Sequence, residues 1–364
     1  MSIKKGLIIF FYSYSNMETQ IINTQFITNR SNLNCDIEIP KEKKYINLLS
    51  YIDMKPRKVY IVKNINSGSY NIIYTISTSE NKKVDKKIIL RLSKVRESVA
   101  SIKMELRGIK IQYKLSKKNP NIGLVIDYGR LISRNDNCHQ EYSILEKYGV
   151  SLKFLLESTN YYENIMVPLT FIKNFLKAIN TIHKNNYAHL DLKPSNILLK
   201  KLSKNRHTIK ELDFALIDFG AVRSFTNDKS KFIKRQMASA AFSPPELIDR
   251  KYGKKSDIWA FGVISYLTLL NKFFFKANGL KLFINDDANI IENNIISELG
   301  KFRKNLIPAK FKTDKEINNY LGTMNNDYNM DVLRDFFLNV FTINSEKRPD
   351  AAKLLRHKLF TLIK

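Results

Sequence analysis

Cysteine is nearly absent from this 364-residue chain: Cys35 and Cys138 are the only two. So few thiols, with no metal-ligand spacing between them, argue against a disulfide framework or a zinc module and for a reducing, cytoplasmic setting. Acidic residues are also scarce, with 34 Asp and Glu against 61 Lys and Arg, for a formal net charge of +27. That excess favours anionic partners: phosphate groups, acidic substrate segments, nucleic acid or an anionic surface. The competing explanation is codon bias, since Lys, Asn and Ile are abundant together and the basic residues are scattered. No apolar run is long enough to span a bilayer. The opening MSIKKGLIIFFYSYS has only a short apolar run, Leu7 to Tyr12, and no small-residue cleavage site follows it, so a strand or packed arm is expected there rather than a signal peptide. Internal repeats and low-complexity linkers are missing. What is present is 44% apolar content with 11% aromatics, which is enough for a substantial core.

Residues 1–57 form an N-terminal extension without an assignable pattern. From Lys58 the runs KVYIVKNI, YNIIYTIST and KKIILRLS are β-branched and aromatic, separated by turn material. A helix is predicted after them, with Val99, Ile102, Leu106, Ile109 and Tyr113 at helical spacing. NPNIGLVIDYG and EYSILEKYG are predicted as two more strands. Beyond Gly149 the pattern becomes mostly helical, including FIKNFLKAINTIHKN, DIWAFGVISYLTLL (257–270), DVLRDFFLNVF and AAKLLRHKLF. The fold class expected is α+β: a small sheet-rich lobe over 58–147, a larger helical lobe over 148–364, and a cleft between them.

The stretch AHLDLKPSNILL (188–199) places Asp191, Lys193 and Asn196 on one short loop that Pro194 keeps out of a regular helix. Further on, LIDFG sets Asp218, Phe219 and Gly220 after an apolar run. The two stretches together resemble the catalytic loop and the metal-binding motif of eukaryotic-type protein kinases, and Asp-Leu-Lys-Pro is the Ser/Thr form. The resemblance implies the roles. Asp191 orients and deprotonates the substrate hydroxyl, Lys193 contacts the γ-phosphate of ATP, Asn196 and Asp218 hold magnesium through oxygen, and His189 is a structural histidine.

Further matches run over most of the chain. SAAFSPPEL (239–247) resembles the end of the activation segment, with Ser239 at a usual Thr position. Asp257, at the start of a buried helix, is expected to brace the catalytic loop. Arg348 is expected to pair with Glu246, a framework that favours a protein substrate over a small molecule. LEKYGVSLKFLL resembles the hinge between lobes, most like the casein-kinase-1 group, so backbone groups around Glu146 and Tyr148 would meet adenine.

The nucleotide pocket departs from the family pattern. The glycine-rich loop, INSGSYNIIY (65–74), keeps only Gly68, between Ile65 and Ile73. Its backbone N–H groups would still face the phosphates. Val-Ala-Ile-Lys is replaced by Ile88-Ile89-Leu90-Arg91, so Ile89 would crowd the adenine and Arg91 stands where a lysine grips the phosphates. The carboxylate partner of Arg91 is Glu105, with Glu97 as the alternative. Leu190 occupies a position where many kinases carry Arg, so control by activation-loop phosphorylation is not expected. The basic segment RSFTNDKSKFIKRQ (223–236) would meet an acidic substrate, or is simply an exposed charged loop. Two functions follow from the resemblance: an active Ser/Thr kinase, or a kinase-fold scaffold without chemistry. Nucleic-acid binding through the net charge has no motif behind it.

Overall fold

The structure, a computed structural model, describes residues 45–67, 71–79, 87–93, 99–131, 140–158, 161–200, 208–225, 231–232, 240–248, 251–272, 274, 288–308 and 310–363. The N-terminal arm, Gly68, Glu97 and Ser239 lie outside these residues, as does most of the basic segment after Phe225.

Six strands make the small lobe: β1 (Tyr45–Ser50), β2 (Pro56–Ser67), β3 (Asn71–Ser77), β4 (Ile88–Ser93), β5 (Val125–Leu131) and β6 (Glu141–Glu146). Their order, β1-β2-β3-β4-β6-β5, closes on itself because β1 also pairs with β5, Leu48 opposite Leu131. Residues 45–57, expected as part of an unassigned extension, instead supply β1 and the start of β2. Alternation explains β1: Ile46, Leu48 and Ser50 point inward, while Tyr45 and Asn47 face solvent. The barrel interior is filled by Ile46, Leu48, Val59, Tyr74, Ile76, Leu90, Leu92, Tyr142 and Ile144.

Helix α1 (Val99–Ser116) lies against this barrel, where Ile109 packs with Val125 and Tyr128. The large lobe is helical: α2 (Leu152–Leu156), α3 (Met166–Lys184), α4 (Lys254–Leu270), α5 (Ala288–Gly300), α6 (Phe302–Leu306), α7 (Asp314–Leu321), α8 (Asp327–Val340) and α9 (Ala351–Leu354). Every residue from Ser256 to Leu269 is buried, so α4 is the central helix, apolar on all sides because other elements surround it. Phe171 and Phe175 of α3 and Phe261 of α4 meet in one aromatic cluster with Phe214. Among the described residues, no helix is long and apolar enough to cross a membrane.

Candidate active site

The loop after α3 is held from below by one carboxylate. Asp257 Oδ2 accepts from His189 N and Asp257 Oδ1 from Leu190 N, both at 2.8 Å. His183 Nε2, near the end of α3, lies 2.9 Å from Oδ2. Asp257 is 1% exposed, so these bonds replace the water it has lost. They also hold Leu190 in a left-handed backbone conformation, φ 64°, that costs an L-residue about 1–2 kcal/mol. The Leu190 side chain is buried with Ala188, Phe225, Leu247 and Tyr252. An apolar residue at this place therefore joins the loop to the segment after Gly220, where a charge would be stranded. His183 was not singled out from sequence; its partner is far along the chain.

His189 is fixed by its neighbours. Its Nε2 donates to the Ile217 carbonyl at 3.3 Å, and its ring meets the Phe219 ring edge-on at 4.9 Å. The loop then places its polar groups together. Lys193 Nζ donates to Asp191 Oδ2 at 2.7 Å, and Asn196 Nδ2 donates to the Asp191 carbonyl at 2.9 Å. Burial pushes the Asp191 carboxyl above its ordinary value; the Lys193 bond opposes this and the Asp218 charge adds to it. Asp218 is brought alongside by a short antiparallel pair, Ile197–Leu199 with Phe214–Leu216. Ile217 N donates to the Asn196 carbonyl at 2.9 Å, one residue before Asp218. Asp218 itself is exposed and left-handed, φ 64°.

Across the cleft, Ile73, Ile89 and Arg91 occupy one face of the small-lobe sheet by alternation and register, Ile73 directly opposite Arg91. Arg91 Nη2 is 3.2 Å from Glu105 Oε1, and Glu105 is 6% exposed. The pair expected from the family resemblance, Arg91 with Glu105, is thus formed, while the alternative Glu97 lies outside the described residues. Ile65, at the far end of β2, is 47% exposed. At the hinge, Glu146 N donates to the Leu124 carbonyl at 3.1 Å. Tyr148 Oη donates to Glu146 Oε2 at 2.9 Å and accepts from Leu124 N at 2.8 Å, tying the two side chains together.

Sequence reasoning missed two further residues here. Gly108 of α1 faces the start of the segment after Asp218, where a β-carbon would lie 2.5 Å from the Phe219 carbonyl oxygen. Glu141 of β6 is buried with Oε2 unpartnered. Burial first, and then the Glu105 charge, push its carboxyl up to about 8, with Arg130 opposing.

Behind the loop, Arg348 is fully buried and grips Glu246 with both ends of its fork, Nη1–Oε1 2.9 Å and Nη2–Oε2 3.0 Å. It lies over the Trp259 ring at 5.0 Å and donates to the carbonyls of Thr342, Lys255 and Ile343.

A two-lobed fold with a braced loop, a cation–carboxylate pair across β4 and α1, and a buried Arg–Glu clamp defines a class of phosphotransferase scaffold. The chain belongs to the protein kinase family: the protein kinase domain matches residues 59–360. It is 41% identical over 98 residues to calcium-dependent protein kinase 4 of Plasmodium falciparum (isolate 3D7), covering 27% of this chain and 17% of that protein. It is 28% identical over 219 residues to serine/threonine-protein kinase dkf-1 of Caenorhabditis elegans, 59% of this chain and 28% of the relative. Myosin light chain kinase 2, skeletal/cardiac muscle, of Homo sapiens is 27% identical over 190 residues, 52% of this chain and 26% of that protein. The matches thus cover between 17% and 28% of the length of these curated relatives.

Proposed function

We propose that the chain is a Ser/Thr protein kinase that transfers the γ-phosphate of magnesium ATP to a protein hydroxyl. The observation that carries this reading is the Arg91–Glu105 pair at 3.2 Å. It keeps a cation on the nucleotide side of the sheet although the usual lysine is gone. Family membership and Ser/Thr kinase relatives support the same reading.

The residues present fit a hard divalent cation. Asn196 spends its amide N–H₂ on Asp191, which leaves its amide oxygen as a ligand, and Asp218 offers an exposed carboxylate. Magnesium at these oxygens would supply charge neutralisation on the phosphates. This chain's own residues do the rest. Asp191 accepts the substrate hydroxyl proton, and Lys193 holds Asp191 in place and faces the transferred phosphoryl group. Arg91, oriented by Glu105, contacts the α- and β-phosphates. Ile65, Ile73 and Ile89 border the base, and backbone groups around Glu146 and Tyr148 read its edge. The spacing of Arg91 and Glu105 supports a small lobe of the casein-kinase-1 kind. The substrate is an acidic protein segment, by the excess of basic residues, and the compartment is cytoplasmic and reducing, by the cysteine content.

The test is transfer of labelled phosphate from magnesium ATP to the chain itself and to acidic and basic protein substrates, beside Asp191→Asn and Arg91→Lys. Transfer that vanishes in Asp191→Asn supports a working kinase. Silence of the parent with transfer by Arg91→Lys means that the arginine holds a competent large lobe silent. Silence in all, without nucleotide binding, leaves the scaffold reading.

A further inference from the structure

Helix α1 contains one acidic residue, Glu105, and that residue is turned inward to Arg91. Its outer face carries Arg107 and Lys114, and the turn that follows it carries Lys117 and Lys118, all exposed. Residues seven apart share a helix face after two turns, so Arg107 and Lys114 fall in one row that Lys117 and Lys118 continue. The row does not stop where the helix ends. Lys118 Nζ donates to Asn185 Oδ1 just beyond α3, and Asn119 Nδ2 donates to Thr181 Oγ1 at 3.0 Å. Lys177 and Lys184, exposed on α3, extend it, and α3 has no Asp or Glu. Among the described residues, none of these six cations is in an ion pair. The α1 part alone, Arg107 to Lys114, is about 10 Å long.

We infer that this ridge docks on the phosphate backbone of duplex DNA. Charge alone supplies most sequence-independent binding to nucleic acid, and a one-sign row of exposed cations is the surface that such binding requires. Apolar anchors of the kind that membrane insertion and peptide docking use are missing from the ridge. The exposed large apolar side chains among the described residues, such as Phe154, Ile248 and Tyr328, lie on other elements. Single-strand binding needs open aromatic faces for bases. Tyr113 is not one, because Lys117 Nζ sits 4.0 Å from its ring centroid and 2.7 Å from its hydroxyl. Duplex DNA carries one phosphate charge per about 1.7 Å of helix axis, dense enough to meet each cation of the ridge. The ridge is on the far side of α1 from Glu105, so docking leaves the cleft open.

The experiment is fluorescence anisotropy of the full chain with a labelled DNA duplex of two helical turns, over a salt series. Six phosphate contacts predict a slope of log affinity against log salt of about −5. The triple variant Lys114→Glu, Lys117→Glu, Lys118→Glu is expected to flatten the slope by about 3 and to lose more than about tenfold in affinity. A control with the same net charge, Lys312→Glu, Lys315→Glu, Lys347→Glu, is expected to bind nearly as the parent does. A melting curve checks folding, and the triple Lys→Gln variant at the same ridge positions gives the same reading if the Glu variant unfolds. Equal losses in ridge and control variants would overturn the inference, as would no duplex binding. So would equal affinity for single strands, or tighter binding to polyglutamate or phosphatidylserine vesicles.

Discussion

The backbone of Phe219 passes so close to Gly108 that a single added carbon would sit 2.5 Å from the Phe219 carbonyl oxygen. Helix α1 and the segment beginning at Asp218 are therefore in backbone contact, and one helix carries both this contact and Glu105. Moving α1 outward moves Glu105 away from Arg91.

Gly108→Ala is accordingly expected to lower phosphotransfer more than stability. A misplacement of about 1 Å in a catalytic assembly costs roughly a hundredfold in rate. Initial rates and a thermal melt on the same preparation check this; a large melting shift with an unchanged rate would contradict the argument.

Removing one half of the Arg348–Glu246 clamp leaves a buried charge without its partner. Glu246→Gln is expected to cost about 3–5 kcal/mol, because Arg348 is fully buried. Urea unfolding measures it. Arg348→Met together with Glu246→Leu is expected to recover much of the loss, since no charge is then stranded.

Leu190→Arg tests the apolar join between the catalytic loop and the segment after Gly220. The site is lined by Ala188, Phe225, Leu247 and Tyr252, so a guanidinium there has no counter-charge within the cluster. Expected destabilisation is a few kcal/mol. A stable variant that gains activation-loop control would mean that the pocket reorganises around the charge.

Glu141 sets a pH dependence with a definite sign. Its folded-state carboxyl is pushed up to about 8 by burial and by Glu105, while in the unfolded chain it ionises at an ordinary carboxylate value. Between those two values the folded state holds the extra proton. Stability therefore falls as pH rises across that window, by up to about 1.4 kcal/mol per pH unit, and levels off above it. Glu141→Gln is expected to remove this slope and to be more stable than the parent at alkaline pH. Denaturant midpoints over a pH series show either outcome.

Much of the cleft could be read from residue order, because Asp191, Lys193 and Asn196 are local to one loop and Asp218 follows a recognisable strand. Arg91 and Glu105 are placed by the resemblance of their stretches to the family pattern, with strand alternation setting the neighbouring lysines aside. What stayed hidden depends on distant neighbours. Gly108 reads as an ordinary helical glycine until Phe219 is folded against it, and His183 as an ordinary helix-end residue until Asp257 lies beneath it. Strand β1 is six residues long, and nothing local says that it pairs with β5. The cationic row on α1 has a helical period in the sequence, but it reads as a solvated face until the end of α3 comes alongside. In the other direction, the loop containing Gly68 is a sequence feature that lies outside the described residues.

The ring of strands in the small lobe has a consequence for folding and for truncation. Ladder bonds from β1 to β5 join the first described strand to one reached only after β2, β3, β4 and α1 have been made. Such closure is non-local and comes late, because the loop entropy is lost before the contacts form. A chain cut at Lys58 would lose β1, uncovering the outer edge of β2 and the outer edge of β5 together. Two bare edges are templates for pairing with other chains. The strand left out of a conventional domain boundary is thus what covers both edges of this lobe.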